Sequence, residues 1–139
     1  MRLYASPEYL AAHGPPEQIE DMRHHRLICQ NTKSAQVGAG LQLVQKLMTY
    51  NLPSMLTVNN YFGVLQAVIH HLGIGVLPDY VTQDFEGVTR VLPELESVEV
   101  PVYLAYPEEL RHSKRIDAFR DFVLSEIIEH RRKLRDASH

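Results

Sequence analysis

The sequence predicts an α/β domain from its size and from one helix-to-strand transition. The chain has 139 residues, of which 45% are hydrophobic and 22% are charged, as in one compact globular domain. Asn60 precedes an apolar series with helical spacing, which ends before Gly73 and comprises Leu65, Val68, Ile69 and Leu72. The apolar run Ile74–Leu77 follows and stops at Pro78, which is typical of a short buried strand.

The first elements are a strand and a capped helix. Arg2–Ala5 is short and half apolar, and Ser6 after it is a favoured N-cap residue. Pro7 suits the first helical position, and Glu8 complements the positive end of the helix dipole. Gly14 can adopt the left-handed conformation that ends a helix, so we expect the helix to stop there.

The next segment predicts a short helix, a strand, a loop and a hairpin. The helix covers residues 17–22 and the strand covers Leu27–Gln30. The polar residues 31–40 form a loop at the carboxyl end of that strand. Residues 41–58 begin with alternating apolar residues and are interrupted by Asn51-Leu52-Pro53, so we predict a hairpin.

The last third predicts two more strands and a long helix. Residues 79–85 form a turn or short helix, and strands follow over 89–92 and 100–106. Ser113 caps the final helix, whose apolar stripe consists of Ile116, Phe119, Val123 and Ile127.

Charge and composition exclude several classes of protein. With 14 basic and 17 acidic residues the net charge is −3, which argues against a general nucleic-acid binder. Residues 130–135 carry four of the basic side chains, but basic groups there also complement the helix dipole and solvate the terminus. One cysteine permits no internal disulfide, and no apolar run is long enough for a membrane span. We therefore expect a cytoplasmic protein without membrane contact.

No catalytic or metal-binding motif is evident. The side chains of His24-His25 and of His70-His71 diverge within each pair, so neither pair chelates as a unit and we expect no metal. Cys29 lies in an apolar strand, where a packing role is favoured over a nucleophilic one. Gly73-Ile74-Gly75 precedes a strand, whereas the dinucleotide fingerprint follows one. We expect no cofactor and no enzymatic activity.

Two polar segments could together hold a small anion. The helix after Asn59-Asn60 begins with backbone N–H groups that have no partner within the helix, and residues 30–34 offer amide and hydroxyl groups at a strand end. The favoured interpretation of an isolated Asn at a helix start is simpler, namely that Asn59 or Asn60 caps the helix and does nothing more.

Three segments carry a family resemblance. Residues 2–10 contain ASPEYL, residues 72–78 are LGIGVLP, and residues 102–107 are VYLAYP ahead of the closing helix. In this order they resemble the effector-binding domain of LysR-type transcriptional regulators over nearly the whole chain.

The resemblance implies one lobe of a periplasmic-binding-protein-like (type 2) domain, with a mixed sheet flanked by helices plus a return strand and a C-terminal helix. Residues 1–100 would be the second lobe with the first crossing strand. Residues 101–139 would be the return crossing strand, the final helix of the first lobe and the basic tail. The DNA-binding winged helix-turn-helix would lie outside this chain.

The resemblance also implies a ligand and a site. The ligand would be a small-molecule effector, such as a small organic acid, and the implied binding residues are Gln30, Asn31, Thr32, Asn60 and Tyr61. DNA would be bound only through the helix-turn-helix.

In the family, the return strand and the final helix pack on first-lobe elements that lie outside this chain. Without that cover their apolar residues would be exposed, so we predict self-association as a homo-oligomer through Val102, Leu104, Phe119 and Val123.

Two alternative functions are a solute-binding lobe of a transport protein and a small α/β enzyme.

Overall fold

The structure, a computed structural model, describes residues 1–31, 38–83, 85–95 and 103–136. The chain divides into two compact units, Met1–Val100 and Pro101–His139. In the first unit, five strands form one sheet in the order β3-β2-β4-β1-β5. The strands are β1 (Arg2–Ala5), β2 (Leu27–Gln30), β3 (Met55–Val58), β4 (Ile74–Leu77) and β5 (Thr89–Val91).

The sheet is mixed, as the family resemblance implied. β2 is parallel to β3 and to β4, whereas β1 is antiparallel to both β4 and β5. Four strands therefore end at the same edge of the sheet, and β1 begins there. We call this the carboxyl edge; ligands of open α/β sheets commonly bind at such an edge.

The predicted capping residues do begin and end the first helix. α1 spans Pro7–His13, and the Ser6 hydroxyl accepts a hydrogen bond from the backbone N–H of Tyr9 at 3.2 Å. Gly14 follows with φ of 78°, a backbone conformation that a residue with a Cβ rarely adopts. A 3-10 helix, Ile19–His24, takes the place of the short helix predicted over 17–22.

The hairpin predicted over 41–58 is wrong: only its second strand is present, as β3, and that strand pairs in parallel with β2. This region begins inside α2, Gly38–Met48, which also takes in the end of the predicted loop over 31–40. Leu43, Val44 and Leu47 are the buried residues, and their i, i+1, i+4 spacing is helical. The alternation that suggested a strand involved only the start of the segment, and Gln45, which would have continued it, is exposed.

The later elements of this unit follow the predictions. α3 spans Tyr61–Ile69 and α4 spans Asp79–Thr82. Apolar side chains cover both faces of the sheet, which explains why its central strands are almost wholly apolar. One cluster includes Leu3, Tyr9, Met22, Leu27, Cys29, Leu47, Ile74 and Val76; the other includes Tyr4, Ile28, Val64, Leu65, Val68, Leu77 and Val81.

Two glycines allow the close packing around β4. A Cβ on Gly75 would lie 2.5 Å from Val68 Cγ2, so α3 rests directly on the backbone of β4. A Cβ on Gly73 would overlap the carbonyl oxygen of Arg26. The same oxygen accepts a hydrogen bond from the Ile74 N–H at 2.9 Å. These contacts give a packing reason for the glycines of the LGIGVLP segment.

The second unit contains a 3-10 turn, Glu108–Leu110, and the long helix α5, Lys114–Asp136. α5 begins directly after Ser113, where the helix was predicted to start. The strand predicted over 100–106 is wrong for its described part, because residues 103–106 have no regular secondary structure. Alternating apolar residues are compatible with a strand, but a strand also needs a neighbouring strand, which local alternation does not supply.

Candidate functional site

The loops that follow β2 and β3 are tied together at the carboxyl edge. The Gln30 side-chain amide donates to the carbonyl oxygen of Asn59 at 3.0 Å, and the Asn31 N–H donates to the carbonyl oxygen of Val58 at 2.7 Å. Because β2 and β3 are parallel neighbours, their ends lie side by side. The structure therefore brings Gln30 and Asn31 next to the start of α3, as predicted from their positions along the chain.

Asn60 caps α3. Its Oδ1 accepts the backbone N–H of Gly63 at 2.7 Å, and its Nδ2 donates to Asn59 Oδ1 at 2.9 Å. The capping role proposed for Asn60 is therefore present, and its side-chain oxygen is already engaged. Ligand binding at this helix start would fall to the backbone N–H groups of Tyr61 and Phe62, which have no acceptor within a helix. The helix dipole favours negative charge there.

Tyr61 is half-buried, and its side chain packs against both apolar clusters. Burial, together with the nearby Tyr80 phenol, raises the pKa of Tyr61, so its hydroxyl stays protonated and can donate a hydrogen bond at neutral pH. Tyr80 is 63% exposed and lies in α4, which contacts α3. Tyr80 was not predicted, although the rule that selected Gln30 applies: it closely follows the carboxyl end of a strand, here β4.

A second polar network anchors the start of β1. Asp79 accepts a hydrogen bond from the Tyr4 hydroxyl at 3.1 Å and forms an ion pair with Arg2 at 3.2 Å. Burial raises the pKa of Tyr4, which keeps the hydroxyl protonated as the donor. This network fixes α4 to the strand that enters the unit.

Thr32, the remaining predicted binding residue, lies outside the described residues. The groups gathered between β2, β3 and the start of α3 are amides and phenols, and the Arg2–Asp79 ion pair lies farther along the edge, at β1 and β4. Within the described part of the chain, no three His, Cys, Asp or Glu side chains are placed to hold a metal ion.

Cys29 and the histidines play the packing and surface roles expected of them, with one exception. Cys29 is buried, and burial raises the pKa of its thiol, so it is a poor nucleophile. His24 and His70 are exposed, and His71 contacts the Ser6 hydroxyl at 2.8 Å. His25 is the exception, because it is almost completely buried.

The first unit also has an open depression of about 450 Å³ away from these residues. Its lining shares no member with the predicted site; it includes Glu17, Glu20, Lys46, Leu92 and Glu94.

Comparison with known proteins identifies the family. The LysR substrate binding domain family matches residues 1–127. The chain belongs to this family. The family resemblance carried by the ASPEYL and LGIGVLP segments is thereby confirmed, and Gln30, Asn60 and Tyr61 lie at the carboxyl edge of a LysR substrate-binding domain.

Two curated relatives are HTH-type transcriptional regulators. One, from Haemophilus influenzae, is 27% identical over 111 residues, and the other, YhjC of Escherichia coli, is 26% identical over 124 residues. The matches cover 78% and 86% of this chain but 38% and 42% of the relatives. The chain therefore spans about two fifths of their length.

A solved structure supports the α/β fold. The regulatory domain of CrgA, a LysR-type transcriptional regulator from Neisseria meningitidis, is 23% identical and superposes with a TM-score of 0.69. The alignment covers 90% of this chain and 63% of that chain. The predicted LysR-type regulatory fold, with its mixed sheet and flanking helices, is confirmed.

The residues predicted for self-association in this LysR domain belong to the second unit. Leu104 is 45% exposed, Phe119 is 53% exposed and Val123 is half-buried, whereas Val102 lies outside the described residues. None of the described helices combines the length and the apolar composition needed to cross a membrane.

Proposed function

We propose that this chain is the effector-binding module of a LysR-type transcriptional regulator and that it is not an enzyme. Its first unit is the second lobe of the effector domain, and α5 is the final helix of the first lobe. A small organic acid binds at the carboxyl edge, and DNA binding resides in a helix-turn-helix domain elsewhere in the regulator. The observation that carries the proposal is the convergence of Gln30, Asn60 and Tyr61 at one sheet edge in a LysR substrate-binding domain.

The chemistry at the start of α3 supports a hydrogen-bonding site built from uncharged groups. The Tyr61 hydroxyl and the first amides of α3 can donate to a carboxylate, whose charge the helix dipole stabilises. A carboxylate bound there needs no cation from the protein, since backbone amides and a phenol supply the donors.

The arrangement of Ser6 and His71 does not suggest a hydrolase. Ser6 Oγ lies 2.8 Å from His71 Nδ1, which resembles the nucleophile and base of acyl-transfer enzymes. However, Ser6 is fully buried, and its hydroxyl accepts the Tyr9 N–H as a helix cap. Glu8 approaches the same Nδ1, at 3.7 Å, so it does not orient the ring from the other nitrogen as a catalytic triad requires.

A titration followed by NMR tests the proposal. Small aromatic and aliphatic acids are added to the protein while amide shifts are recorded, and we expect changes centred on Gln30, Asn60 and Tyr61. Tyr61→Phe should weaken binding by removing a donor, whereas Tyr50→Phe, after α2, should not. Shifts centred around Cys29 or His24, or no shifts with any acid in the panel, would count against the assigned edge.

A further inference from the structure

Tyr9 connects α1 to the beginning of β2. It is only 3% exposed, and its hydroxyl accepts the backbone N–H of Arg26 at 3.2 Å. The same hydroxyl lies 3.4 Å from Nδ1 of His25, and the Tyr9 ring stacks on His13 with centroids 4.3 Å apart. One side chain thus ties the helix to the residues that lead into the sheet.

The Tyr9–His25 contact depends on the protonation state of His25. Since the Tyr9 oxygen accepts from Arg26, the phenolic hydrogen is available to Nδ1 of a neutral imidazole. A protonated imidazole carries hydrogen on both nitrogens and cannot accept. Protonation therefore removes the acceptor of the phenolic hydrogen, which is left without a partner in a site that is only 3% exposed.

The surroundings of His25 oppose a positive charge. His25 is 3% exposed, and it packs between α1, the 3-10 helix and β2. The titratable groups that act on it are His13, His24 and Asp21, and Arg23 and Arg26 are its charged neighbours along the chain.

The net effect favours the neutral ring. Burial, followed by the charges of His13 and His24, lowers the pKa of His25, and only Asp21 acts in the opposite direction. The Asp21 carboxylate is itself occupied, because it accepts the N–H groups of Glu17 and Gln18 at 3.0 and 3.1 Å. A lowered folded-state pKa means that the unfolded chain binds the proton more readily. The stability that the neutral ring confers is therefore present above pH of about 6.5 and is lost as the pH falls through the folded-state pKa.

We propose that Tyr9 and His25 form an acid-sensitive latch, which holds α1 against the start of β2 and opens when His25 gains a proton. The Ser6 cap and the His71 contact hold the other end of α1. Opening therefore frees the Tyr9 side chain from the start of β2, while Ser6 still caps the helix through the Tyr9 N–H. This device is separate from the carboxyl edge, because β1 runs from that edge toward α1.

NMR over pH 7.5 to 5 tests the latch on the intact chain without any effector. The imidazole signals of the histidines and the amide signals of Tyr9 and Leu10 are followed together. We expect the α1 amides to shift or broaden with the same midpoint as the His25 ring. His25→Asn keeps an acceptor near the Nδ1 position but does not titrate, so it should abolish the response, whereas the exposed control His70→Asn should preserve it.

A second variant keeps the test decisive if His25→Asn does not fold. Tyr9→Phe retains the ring stack but has no hydroxyl, so the α1 amides should no longer follow the His25 midpoint. The latch is refuted if α1 amides stay constant while His25 titrates, or if either variant keeps the wild-type response. A response that follows the His13 midpoint and persists in His25→Asn would also refute it.

Discussion

Replacing Gly75 by alanine tests the packing of α3 on β4. The added Cβ would lie 2.5 Å from Val68 Cγ2 and 3.0 Å from Val64 Cγ1, both on fully buried side chains. These valines are β-branched and have few alternative rotamers, so the helix must move away from the strand. Overpacking of this kind typically costs about 1–3 kcal/mol. In a unit of the size of Met1–Val100, each kcal/mol corresponds to a melting temperature lower by roughly 4–8 °C.

The assay is urea unfolding followed by far-ultraviolet circular dichroism, with Gly87→Ala as the matched control. Gly87 has no atom within 4 Å of a Cβ position, so its replacement should leave stability unchanged or raise it by about 0.4–1 kcal/mol. The double variant Gly75→Ala/Val68→Ala should lose less than the sum of the single losses, because the new methyl group occupies space that Val68 vacates. Equal stabilities of Gly75→Ala and Gly87→Ala would refute the close packing.

Three further outcomes follow from named side chains. Asn60→Ala should lower stability by about 1 kcal/mol in thermal unfolding, because Gly63 loses its acceptor, whereas Asn60→Asp should keep the cap. Cys29 should react slowly with a thiol reagent in the native protein and rapidly in denaturant, and fast native labelling would contradict its burial. Phe119→Glu should weaken self-association in sedimentation velocity, unlike Gln66→Glu on the exposed side of α3, and a monomeric wild type at tens of micromolar would contradict the association.

Local sequence signals predicted the helices whose ends carry capping residues. The side chains of Ser6 and Asn60 cap helices, and Gly14 ends α1 with a positive φ that favours glycine. α2 lacks such a signal at its start, since Gly38 and Gly40 favour a loop. Its helical state depends on burying Leu43, Val44 and Leu47 against the sheet, which is a tertiary effect that local propensity does not contain.

Strand order and the second polar network depended on long-range contacts. Nothing in Arg2–Ala5 alone shows that β1 is inserted antiparallel between β4 and β5, because pairing is a property of two segments. Asp79 is 75 residues from Tyr4 in the chain, so their hydrogen bond could not be predicted from the local sequence either.

The sequence predicted those residues of the candidate site that lie at strand ends and helix starts. A strand end selected Gln30, a helix start selected Asn60, and the family resemblance named both as binding residues; the parallel pairing of β2 and β3 places them at one edge. Extended to β4, the same rule selects Asp79 and Tyr80, which adjoin Arg2 and Tyr61 in the structure. The edge therefore extends from amide side chains at β2 and β3 to a tyrosine and an ion pair at β4 and β1. An acid bound at the start of α3 would have the exposed phenol of Tyr80 nearby, so Tyr80→Ala should alter affinity more for aromatic than for aliphatic acids of equal charge.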